Sequence, residues 1–123
     1  MTATEAIIVF MTAPNREEAL TLAERLVSAN LAACVQILPE MESIYRWEGT
    51  IERQEEILLI AKTTKSRFPE LEREVRDSHS YDTPEIIAVP VCAASASYLQ
   101  WLSSNVETHA HAPKANEKRE TQF

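Results

Sequence analysis

The chain has 123 residues, 45% of them hydrophobic, and its 12 Lys and Arg against 19 Asp and Glu give a net charge of −7. A single core of this size is stable without splitting, so one folded domain is expected. Such a surface repels phosphate backbones, which works against nucleic-acid binding, and favours cations as partners.

The first element is the continuously apolar run at residues 6–11, Ala-Ile-Ile-Val-Phe-Met, which reads as a strand buried on both faces. It is too short to span a membrane, and no basic residues precede it as they would in a signal peptide. With Cys34 and Cys92 as the only cysteines, a disulfide framework is not expected. These features together predict a cytoplasmic protein with reduced thiols.

Pro14 ends the strand, Asn15 is a good helix cap, and Glu18 three residues later completes a capping-box pattern. Leu20, Ala23, Leu26 and Val27 follow at helical spacing, and Asn30 is the best available stop, so a helix is predicted over residues 15–29. Two long stretches rich in β-branched and aromatic residues come next, at residues 33–47 and 51–63. Gly49 lies between them and is the only glycine in the chain. Average usage would supply about eight or nine. A tight hairpin needs positive φ at its tip, so Gly49 marks the apex of one long hairpin.

Legs of about 14 residues extend roughly 45 Å, whereas a compact domain of this size is about 35 Å across. The tip should therefore overhang its own core, exposing Ile44, Tyr45, Trp47 and Ile51 unless a second copy covers them. Pro39 interrupts the first leg, which predicts an edge position or a bulge there. Ser66 is a candidate cap for a second helix with Pro69 in its first turn and Phe68, Leu71 and Val75 on its apolar face. A polar loop follows at residues 77–84. A last strand at residues 86–91 carries Pro90 and so belongs at an edge, and Ser95 or Ser97 caps a short third helix. From residue 107 the chain is polar and aperiodic, which predicts a disordered tail after a domain at residues 1–106. The order β-α-β-β-α-β with a C-terminal helix is the ferredoxin-like α+β plan.

Four blocks carry a family resemblance: Leu31-Ala32-Ala33-Cys34-Val35, Ile44-Tyr45-Arg46-Trp47-Glu48-Gly49, Leu59-Ile60-Ala61-Lys62-Thr63 and His79-Ser80-Tyr81-Asp82-Thr83-Pro84-Glu85-Ile86. In order and spacing they resemble the CutA divalent-cation tolerance proteins over residues 6–102. The resemblance implies a ferredoxin-like protomer in a tight homotrimer similar in architecture to the PII signal-transduction proteins. It further implies a non-enzymatic role in tolerance of divalent metals, copper above all. Met11 and Ser78 depart from the family, some members of which carry a cysteine and a second histidine at these positions.

The candidate metal ligands are His79, in a polar loop beside Asp77 and Asp82, the Met11 thioether and the Cys34 thiol. Each has a structural alternative: a local hydrogen bond for His79, and packing for Met11 and Cys34. Lys62, Tyr81 and Arg46 are candidates for a cleft between subunits that would hold a small anion or nucleotide, the PII-like alternative. Tyr45, Trp47 and Gly49 are expected at the trimer interface, where aromatics concentrate. His109 and His111 in the tail can chelate metal weakly. Glu40, Glu42, Glu52, Glu55 and Glu56 read as a solvated acidic face. No membrane partner is expected.

Overall fold

The computed structural model describes residues 5–107. The tail assigned from residue 107, including His109 and His111, lies outside the described residues apart from Glu107. The chain runs β1 (Ala6–Ala13), α1 (Arg16–Ser28), β2 (Cys34–Trp47), β3 (Thr50–Thr64), α2 (Phe68–Ser78), β4 (Ile86–Pro90) and α3 (Ala96–Ser104). The strands form one antiparallel sheet in the order β2-β3-β1-β4, the ferredoxin-like arrangement. Both proline-bearing strands lie at its edges, because proline cannot donate to a second neighbour.

The core lies between the sheet and the helices α1 and α2. Val9, Met11 and Leu59 from the central strands meet Leu22 and Leu26 of α1 and Leu71 and Val75 of α2. All of these side chains are fully buried. The opposite face of the sheet is covered at one end only. There α3 places Leu102 against Ala6 and Ala33, with Val106 just beyond the helix in the same cluster.

Local chemistry sets the element ends. The Asn15 side chain accepts from the Glu18 N–H at 2.8 Å, so the predicted cap of α1 is present. The reciprocal half of the capping box is missing, because the Glu18 carboxylate instead accepts from the Ser80 N–H at 2.9 Å. Asn30 takes φ 60° just after the helix, the left-handed stop that glycine would otherwise supply. Ser66 does not cap α2. It sits in a 3-10 turn at Lys65–Arg67, its hydroxyl 3.1 Å from that of Thr64.

The hairpin is as long as its composition predicts, with legs of 14 and 15 residues. Glu48 and Gly49 both have positive φ, at 51° and 83°, as a two-residue type I′ turn demands. β1 pairs with β3 only from Ile57 to Thr64, so Thr50 to Glu56 pair with β2 alone. Those seven residues carry the hairpin about 23 Å beyond the sheet's central strand. Ile44 and Ile51 on this overhang are 59% and 63% exposed.

Candidate functional site

A bulge in β2 shapes a region where polar and aromatic groups from distant elements meet. Before it, Leu38 pairs with Leu58; after it, Met41 pairs with Glu56. Two residues, Pro39 and Glu40, therefore oppose Ile57 alone. Side chains alternate along a strand, so one extra residue moves every later position of β2 to the other face. Ser43, Tyr45 and Trp47 consequently share a face with Gln54 and Glu56 of β3. That face, together with Thr12 of β1 and the loop before β4, encloses a cavity of about 650 Å³.

The cavity floor is a hydrogen-bonded chain. Tyr45 Oη donates to Gln54 Oε1 at 2.7 Å, Gln54 Nε2 donates to Tyr81 Oη at 2.9 Å, and Tyr81 Oη donates to Glu56 Oε2 at 2.9 Å. Glu56 is only 7% exposed, so it is not part of the solvated acidic face as its position in the sequence suggested. Burial, reinforced by the hydrogen bond and charge of Glu56, pushes the Tyr81 phenol far above its ordinary range. Partial desolvation, and then the Glu56 charge, raises the carboxyl of Glu85. Glu56, Asp82 and Glu85 all line the cavity, and among the described residues no ion pair reaches any of them. Among the described residues, no Lys, Arg or His lines it.

His79 props up this loop from behind. Its side chain is wholly shielded from solvent. Nδ1 accepts from the Tyr81 N–H at 3.0 Å, so the ring proton belongs on Nε2, which donates to the Thr12 carbonyl at 2.7 Å. The Glu18 carboxylate stands 3.4 Å from Nδ1, and the ring lies 4.7 Å from that of Tyr81. Neither nitrogen of the folded ring offers a lone pair outward.

The sequence candidates do not converge. Met11 is fully buried in the main core, and Cys34 Sγ lies 3.8 Å from Tyr98 Oη beneath α3. Burial, and then contact with Cys34, lifts the Tyr98 phenol to about 12. Met11 and Cys34 are two strands apart and three residues out of register, about 14 Å by strand geometry. Of the three cleft candidates only Tyr81 lines the cavity. Lys62 Nζ donates to Gln36, and Arg46 pairs with Ile51 on the other face of the hairpin. Tyr45 and Trp47, expected at an interface between copies, line the cavity of the single chain. Sequence reasoning missed Gln54, Glu56 and Glu85. Counting register outward from the Gly49 turn would have placed Ser43 opposite Gln54 and exposed the first two.

Residues 7–105 match the family model for the CutA1 divalent ion tolerance protein. The chain belongs to that family. It is 45% identical over 98 residues to the divalent-cation tolerance protein CutA of Thermus thermophilus, covering 80% of this chain and 95% of that protein. The chloroplastic protein CutA of Arabidopsis thaliana is 45% identical over 100 residues, covering 81% of this chain but 55% of the plant protein. The crystal structure of CutA1 from Oryza sativa superposes with a TM-score of 0.83 at 40% identity, covering 88% of this chain and all of that one. Among the described residues of this CutA-family chain, no helix is long and apolar enough to cross a membrane.

Proposed function

We propose that the chain is a non-enzymatic divalent-cation tolerance protein that acts as a homotrimer and takes its cation at the carboxylates of the hairpin cavity. One observation carries this reading: Glu56, Asp82 and Glu85 face a common space in which, among the described residues, no cationic side chain neutralises them. Oxygen donors of this kind suit hard divalent ions. Copper belongs to the same series but gains most from imidazole and sulfur, and His79, Met11 and Cys34 are each engaged elsewhere in the fold. Among the described residues no group of three His, Cys, Asp or Glu side chains is arranged to hold a metal ion. Water or a second copy would complete the shell.

The homotrimer is the reading that gives the overhang a purpose. Ile44 and Ile51 are more than half exposed at a hairpin tip that also carries Tyr45, Trp47 and Gly49, and Ile87 and Val89 are exposed on the open face of the sheet. Covering them removes apolar area from water at about 25 cal/mol per Å². Native mass spectrometry should therefore find three chains per particle. Calorimetric titration of the assembly with Mn(II), Ca(II) and Cu(II) should show binding that Glu56→Gln weakens at least tenfold. Unaltered affinity in that variant removes the site, and absence of any binding removes the reading.

A further inference from the structure

We propose that the same cavity is a binding site for an organic ammonium ion, seated between the carboxylates of Glu56 and Glu85 and the rings of Tyr45, Trp47 and Tyr81. The first argument is size. A cavity of about 650 Å³ is far larger than a bare ion requires, and lies within the range of small-molecule sites. The second is wall chemistry. A metal ion needs several donor atoms converging at one point, and here the described residues of one chain would need water or a second copy to complete the set. An ammonium group spreads its charge over its hydrogens or methyl groups, so a carboxylate on one side and aromatic faces on the other suffice.

The wall supplies both. Among the described residues, three aromatic rings and three carboxylates line the space, with no Lys or Arg to compete for them. Trp47 is 49% and Tyr45 38% exposed in the single chain, so both rings present free surface to the cavity. Glu56 is held rigidly, since Tyr81 fixes one oxygen and Gln54 fixes Tyr81 in turn. A fixed, nearly buried carboxylate beside accessible rings is preorganised for a cation and loses little conformational freedom when one arrives. Among the described residues an anion finds no positively charged donor there.

This inference shares the acidity of the cavity with the proposed function but does not depend on metal binding. It also accounts for the aromatic wall and the volume, which the metal reading leaves unused. The test titrates the intact full-length assembly with tetramethylammonium and butylammonium, with uncharged 1-butanol as control and Mn(II) in parallel. Binding is read by calorimetry and by the shift of the Trp47 indole N–H resonance. The ammonium ions should bind, 1-butanol should not, and Glu56→Gln should weaken binding at least tenfold. Trp47→Leu, an exposed position on the hairpin, should weaken it about fivefold. Glu85→Gln should weaken it too, and covers the case in which Glu56→Gln fails to assemble.

Ammonium binding without Mn(II) binding upholds this inference and overturns the metal site. Mn(II) binding without ammonium binding does the reverse. Ammonium binding that survives Trp47→Leu and Glu85→Gln unchanged overturns the assigned location. Failure of both ligands in an intact assembly overturns both proposals and leaves a side chain of a neighbouring copy as the occupant.

Discussion

Replacing His79 with Ala separates a ligand histidine from a structural one. The imidazole is 0% exposed and joins three segments: it donates to the Thr12 carbonyl of β1, accepts from the Tyr81 N–H, and stands 3.4 Å from Glu18 of α1. Truncation leaves the Thr12 carbonyl and the Tyr81 amide without these partners, at about 1–3 kcal/mol each where water cannot reach them. It also opens a void the size of the ring, which by the usual cost of large-to-small changes adds about 1–2 kcal/mol. Since the Tyr81 end is only partly buried, the lower values apply there, and the expected loss is about 3–4 kcal/mol. Against a total stability of about 5–15 kcal/mol that is a large fraction. Urea unfolding followed by circular dichroism, at fixed subunit concentration, should show a clear drop in midpoint with unchanged slope. Cu(II) affinity should change only as far as the loop is disordered. A loss below about 1 kcal/mol combined with abolished Cu(II) binding would refute this reasoning and return His79 to the metal.

Glu85→Gln addresses the charge of the cavity. The Glu85 carboxyl is raised in the folded state, so the folded chain holds that proton more tightly and this contribution to stability is lost as pH rises through the raised value. The variant should therefore be slightly more stable than the parent at pH 7.5, by under about 0.5 kcal/mol after discounting for exposure. The gain should vanish below about pH 4, and a gain of equal size at both pH values in thermal denaturation would show that charge is not its source. Gly49→Ala tests the turn: φ is 83°, and an added Cβ meets nothing within 4 Å, so the cost is conformational, about 1 kcal/mol. A loss above about 3 kcal/mol would mean that the neighbouring copy of the proposed trimer packs against Gly49 too closely to admit a methyl group.

The fold was legible because its signals are local and mutually consistent. Asn15 and Asn30 bound the first helix, Gly49 sets the turn, and Pro39 and Pro90 mark the two edges. Each depends on backbone chemistry that a single residue dictates. The site was less legible because it depends on long-range register. Tyr81 and Glu56 are 25 positions apart, and only folding brings them to 2.9 Å. His79 drew attention as an isolated imidazole in a polar loop, yet the same loop turns it inward, where its two nitrogens complete the hydrogen bonds of backbone groups. Glu56 misled in the opposite direction: next to Glu55 it read as surface, although the period of two puts adjacent strand residues on opposite faces. Ser66 failed as a cap because the 3-10 turn shifts the cap position one residue on, to Arg67, and the helix starts at Phe68.

The bulge at Pro39 connects assembly and site. Had β2 kept the register of Cys34 to Leu38, Ile44 and Arg46 would occupy the face of Gln54 and Glu56, and Tyr45 and Trp47 would lie on the other side. The outer part of that face would then carry the basic Arg46 in place of the aromatic rings. One extra residue reverses this: the aromatics turn toward the carboxylates, and Arg46 and Ile51 turn away together. Proline suits this position because it cannot donate to the ladder, so the break in pairing falls where an N–H is already missing. The long hairpin thus has two parts with different tasks. Its inner half builds the sheet, and its outer half, beyond the bulge, presents an apolar tip on one face and an uncompensated acidic, aromatic pocket on the other. A second copy that grips the tip, as in the proposed trimer, would also alter access to the pocket and so would couple the proposed ligand occupancy to assembly through the same seven residues of β3.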